Sequence, residues 1–165
     1  MGSYGMFRLN KVLLPTVLTL VVAVLVVTQP LSAASQLTIT DLGTLGGTLS
    51  SAEAINERGQ VAGRSTTASG ETHAFLWQDG TMIDLGTLGG PFSSARAINE
   101  RGQVAGRSTA TSGETHAFLW QDGTMIDLGT LGGRFSRTFA INKRGQVVGR
   151  STTASGEEHA VLWMK

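Results

Sequence analysis

The three histidines of the 165-residue chain stand at one slot of a 43-residue period, as His73, His116 and His159. If the repeated units closed into a ring, these imidazoles would be related by rotation, and three meeting on the axis could hold a zinc ion with a fourth position open. The competing arrangement has each histidine bonding the backbone of its own unit. It is favoured, because metal-bound histidines are oriented by a second partner and no carboxylate suited to that orienting role accompanies each ring at close spacing. No metal or other cofactor is expected.

Catalysis needs an asymmetric set, a nucleophile or base beside a partner with a different role. Here the ionisable side chains mostly recur by rule, as Asp41, Asp84 and Asp127 or Arg64, Arg107 and Arg150, while Glu53 and Glu158 stand outside the pattern. There is no cysteine, and no single Ser-His-Asp set stands apart from three equal candidates. The glycine-rich stretch 43–47 lacks the Gly-Lys-Ser ending of a phosphate loop. The chain is expected not to be an enzyme. The recurring aspartates and arginines are expected to bridge copies or cap turns.

The elements that position these residues follow from the repeat. Asp41-Leu42-Gly43-Thr44-Leu45-Gly46-Gly47 recurs from Asp84 and Asp127, and His73-Ala74-Phe75-Leu76-Trp77 recurs from His116 and, with Val161 for Phe, from His159. Copies 41–83 and 84–126 differ at five positions, so their shared residues reflect duplication before anything else. Residues 51–55 and 60–64 flank Asn56-Glu57-Arg58-Gly59, and 73–77 and 81–85 flank Asp79-Gly80, which predicts two hairpins per copy. Residues 66–72 read as a polar loop between them. The apolar runs predict interior strands whose core is Phe75, Leu76, Trp77, Phe118, Leu119, Trp120, Leu162 and Trp163. An exposed tryptophan could stack on a sugar, but inside these runs the three are expected in the core.

Residues 1–34 are expected to be a signal peptide: Arg8 and Lys11 precede an apolar stretch from Val12 to Val27, then Gln29-Pro30 and small residues before Ser35. Sixteen apolar residues are short of the roughly 20 that span a bilayer, so a membrane role is expected only through this leader if it is uncleaved. Export by the Sec route to the periplasm, cell surface or medium follows. Beyond residue 34 the chain carries 11 Lys plus Arg against 12 Asp plus Glu, which excludes a generally basic nucleic-acid-binding domain.

Taken together, the signature Asp-Leu-Gly-Thr-Leu-Gly-Gly, Ala-Ile-Asn-x-x-Gly-Gln-Val and His-Ala-Phe-Leu-Trp, spread over residues 37–163, resembles the bacterial extracellular repeats named for their His-Ala-Phe motif, the HAF repeat family. The resemblance implies an exported repeat protein and transfers no activity.

The expected fold is all-β: residues 35–165 as three repeats (41–83, 84–126, 127–165) in a propeller-like array, whose period lies within the roughly 40–45 residues of a propeller blade. The segment 37–42 matches a fourth strand and is expected to complete the last repeat, closing the array. The alternative is a β-trefoil-like closure, and a homodimer would give six blades. Two functions are open. The first is a structural or interaction module with an unknown protein or cell-surface partner, presented on the 66–72 loops and their equivalents. The second is a lectin-like glycan-binding protein with up to three equivalent sites.

Overall fold

Asp-Gly and Asn-x-x-Gly turns divide each copy into strands that fold back on one another. The computed structural model describes residues 36–164; the expected signal helix lies outside them. In the first copy β1 (Gly46–Ile55), β2 (Val61–Thr67), β3 (Thr72–Gln78) and β4 (Thr81–Asp84) form an antiparallel meander. The second repeats it with β5 (Gly89–Ile98), β6 (Val104–Ala110), β7 (Thr115–Gln121) and β8 (Thr124–Asp127). The third contributes β9 (Gly132–Ile141), β10 (Val147–Thr153) and β11 (Glu158–Trp163). Single parallel bridges, Thr72 to Phe92 and Thr115 to Phe135, join the meanders into one open sheet of 11 strands. The described residues are all-β.

The turns have the predicted chemistry. Asp79 and Gly80 both take positive φ, 51° and 80°, as a two-residue type I′ connection requires. The Asn56 side-chain oxygen accepts from the N–H groups of Arg58 (3.1 Å) and Gln60 (3.0 Å), which closes the first turn on itself. Two stretches differ from expectation. The first strand begins at Gly46, not Ser51, because the Thr66 hydroxyl accepts from the N–H groups of Thr48 and Leu49 and draws that end onto β2. The stretch 66–72 is strand at its ends, Thr66–Thr67 and Thr72, and its turn is confined to 68–71 by a 2.9 Å bond from the Thr67 N–H to the Glu71 carbonyl.

Each first strand also carries a bulge that the sequence does not announce. Ala52 pairs with Gly63 and Ala54 with Ala62, so Glu53 is an extra residue, as Arg96 and Phe139 are in the later copies. Bulges re-aim side chains. The slot of Glu53, Arg96 and Phe139, which differs in all three repeats, is therefore released from the ladder.

The core lies between repeats. Ala62, Ala74, Leu76 and Leu85 of the first meet Ala95, Val104 and Phe118 of the second. Ala105 and Leu119 of the second meet Val147 of the third, with Ile141 and Trp163 alongside. Small residues on the facing strands permit this approach. Gly106 permits it from behind, since a Cβ there would overlap the Ser94 carbonyl oxygen and the Phe118 ring. In the third repeat Val161 replaces that phenylalanine, and the Trp163 ring takes the space beside Gly149 instead. Of the expected core, Phe75, Leu76, Phe118 and Leu119 are buried, the three tryptophans are half-buried, and Leu162 is 52% exposed. Leu162 belongs to the outer face of the third repeat, which with Val148 and Phe139 mirrors exposed Leu49 and Ile55 on the first.

Polar groups stitch the seams. Asn56 Nδ2 donates to the Asn99 carbonyl at 3.0 Å, and Asn99 Nδ2 to the Asn142 carbonyl at 2.9 Å, each also reaching the glutamine of its own turn. The segment 37–42, expected to be the strand that completes the last repeat, forms no strand, and Ile39 is fully exposed, so the sheet is open.

Phe118→Ala is expected to destabilise the protein by about 3–5 kcal/mol in urea unfolding, as truncation of a buried aromatic does. Asn99→Ala should cost about 1–3 kcal/mol by leaving buried partners unpaired, and exposed Asn142→Ala clearly less.

Candidate functional site

In every second strand of a repeat an arginine follows the close-packed glycine, so strand alternation sends it to the opposite face. This places Arg64, Arg107 and Arg150 at matching points along the stack. The first strands add two more cations: Arg96 at a bulge, and Arg137 in the slot that holds Ser51 and Ser94 elsewhere. A cleft of about 230 Å³ runs across all three repeats, lined by Glu53 and Arg64 of the first, Arg96 and Arg107 of the second, and Arg137 and Phe139 of the third.

Its charges are unevenly matched. Arg96 pairs with Glu53 across the seam at 3.2 Å, and Arg150 pairs with Glu158. The slot of Glu158 holds Thr72 and Thr115 in the earlier repeats, so Arg64 and Arg107 have no such carboxylate. Among the described residues Arg64, Arg107 and Arg137 form no ion pair. Aromatic rings support two of them: Arg107 lies 5.4 Å from the Phe92 centroid and Arg137 4.9 Å from Phe139. Burial lowers the Arg107 pKa, with further lowering from the like charges of Arg137, Arg64 and Arg150. Guanidinium nevertheless stays protonated, so the repulsion persists. The buried Nε atoms of Arg137 and Arg150 have no hydrogen-bond acceptor.

Beside this cleft, sharing Arg64, a second hollow of about 350 Å³ is bounded by Leu49 and the Phe92 ring, with hydroxyls from Ser51, Thr66 and Thr72.

The histidines lie elsewhere and belong to their own repeats. His73 Nδ1 is 2.8 Å from Asp84 and His116 Nδ1 is 2.8 Å from Asp127, so each ties the third strand to the fourth. A carboxylate partner thus does exist, 11 residues onward, brought opposite by the Asp-Gly hairpin. This corrects the sequence argument, which looked for it at short spacing. The Nε2 atoms, which a catalytic triad would turn on a serine, lie 3.7 Å from Glu71 and Glu114. His159 is exposed. Among the described residues no group of three His, Asp or Glu side chains could hold a metal ion.

The repeated aspartates cap turns: Asp41 accepts from the Gly43 N–H at 2.9 Å, and Asp84 from Gly86 at 2.8 Å. Among the described residues Arg64, Arg107 and Arg150 form no ion pair with another copy, and the pair of Arg150 with Glu158 stays within its repeat. The cleft is what sequence reasoning missed. Its linear trace is that slots where the copies diverge acquire arginine, two of which, Arg96 and Arg137, line the cleft.

Compared with models of known families, with curated proteins and with solved structures, the chain gives no match.

Because the cleft cations repel one another, raising salt from low to physiological strength is expected to stabilise the protein by about 0.5–1 kcal/mol through screening. The gain should shrink in Arg107→Gln, measured by urea unfolding at each ionic strength.

Proposed function

We propose that this chain is an exported, non-enzymatic repeat protein of the HAF type, acting as an interaction module whose contact surface is the cleft across its three repeats. The observation that carries the reading is Arg64, Arg107 and Arg137, one from each repeat, lining one cavity with no carboxylate partner among the described residues. A fold does not hold unpaired like charges together for its own stability. The 66–72 stretches offer less surface than expected, since only 68–71 project as a turn. The recurrence of most ionisable groups, with both His–Asp pairs spanning adjacent strands, favours structural roles over catalysis.

The fold is proposed to be propeller-like. Supporting this over a trefoil is the four-stranded meander order of each complete repeat, the arrangement of a blade. In a closed array the segment Thr38–Asp41, which matches Thr81–Asp84, pairs beside a β11-type strand and sets Asp41 against His159. Residues 1–34 act as the signal peptide.

A second reading, glycan binding, draws on the hollow beside Phe92, where an aromatic face and several hydroxyls stand together as sugar sites require.

Expression of the full chain in a bacterial host, followed by fractionation and mass spectrometry, should give a protein outside the cytoplasm that begins at Ser35. Cytoplasmic retention with the leader intact would contradict export. On a glycan array, binding abolished by Phe92→Ala would favour the second reading over a protein partner.

A further inference from the structure

The cleft has a specific charge geometry. Three guanidinium groups approach one space from three successive repeats, and two of them lie over the rings of Phe92 and Phe139. Stacking occupies the face of a guanidinium and leaves its N–H edge to donate in the plane. A planar carboxylate is satisfied by one such fork. Forks arriving from several directions suit a group whose oxygens also point in several directions. At about 230 Å³ the space is smaller than the roughly 300–1,000 Å³ of typical small-molecule sites, so it fits a single charged group better than a whole cofactor.

We propose that the cleft binds a tetrahedral oxyanion, phosphate or sulfate, free or as an ester on a larger molecule, held by Arg64, Arg107 and Arg137. The ion neutralises the repulsion among the three cations and accepts from their N–H edges. Buried Arg137 Nε, which has no acceptor within the described residues, is one donor for it. Arg96 remains with Glu53 and sets the rim. The site is asymmetric although the repeats are alike, because the third cation comes from Arg137, a residue that the other copies replace with serine. One ion per chain is therefore expected, not one per repeat.

This inference deepens the interaction reading and rests on it, by naming the chemistry of what the cleft takes. Sulfate and phosphate stabilise proteins generally through exclusion from their surface, so a melting shift alone would not identify a site. The test is isothermal titration calorimetry on the full chain with sodium phosphate and sodium sulfate, against chloride and acetate at equal ionic strength. The expected result is one ion bound per chain, with no saturable heat from chloride or acetate. Affinity should fall at least tenfold in Arg107→Gln and in Arg64→Gln, whose exposed position leaves folding intact, and stay unchanged in Arg101→Gln outside the cleft. Circular dichroism checks that each variant is folded. A sulfated polysaccharide and a phosphate-ester polymer, titrated in parallel, separate the sources: tighter binding of one polymer identifies an ester, and binding of the small ions alone identifies a free ion. No saturable binding of either ion, or binding indifferent to Arg64→Gln and Arg107→Gln, overturns the site. If that happens while the chain still binds a neutral glycan or a protein, the anion site alone fails; if no ligand of any class binds, the interaction reading falls too.

Discussion

A meander of three or four short strands has two faces and cannot cover either by itself, so Ala62, Ala74 and Leu76 reach near-zero exposure only because Ala95, Val104 and Phe118 of the next repeat lie on them. Burial between neighbours is how repeat arrays acquire a core. It explains the small residues on the facing strands, where bulk would hold the sheets apart. It also explains why the apolar side chains left in solvent, Leu49, Ile55, Phe139, Val148 and Leu162, gather on the two outer repeats.

Stacking at a fixed offset brings equivalent side chains into line. For the asparagines the alignment is constructive, since each amide reaches the carbonyl of its counterpart one repeat on and the seam gains a hydrogen bond. For the arginines it is costly. Equivalent cations are forced near one another, and the bulges at Glu53, Arg96 and Phe139 open the ladder where they meet. Arg96 and Arg137 add to them; Glu53 pairs with the first, and phenylalanine rings lie against Arg137 and Arg107. A local rule broken without full compensation is the usual mark of a working surface.

The linear signals that proved readable were those acting within a few residues. Asp79-Gly80 and Asn56 to Gly59 declare their turns because the φ values and side-chain bonds are local, and the apolar runs of β3 and β7 declare burial, though that of β11 on the outer repeat does not. The bulges were not legible, since pairing two residues against one depends on the partner strand. Nor were the His73–Asp84 and His116–Asp127 pairs, whose members lie on adjacent strands 11 residues apart. The cleft was least visible, because its arginines come from three repeats and only stacking makes them neighbours. Gly46–Ser50, outside the expected first strand of 51–55, became strand through the Thr66 hydroxyl, which no propensity of Gly-Gly would suggest.

Stacking is therefore the claim on which the core, the seams and the cleft all stand. It is tested most directly by hydrogen exchange at the amides of Ala74 and Ala117, whose N–H groups donate across the seams to Ser93 Oγ at 2.7 Å and Ser136 Oγ at 2.8 Å. Face-to-face packing requires both amides to exchange only through global unfolding. Exchange at those two positions as fast as in the exposed turn 68–71 would mean that the repeats do not rest on one another.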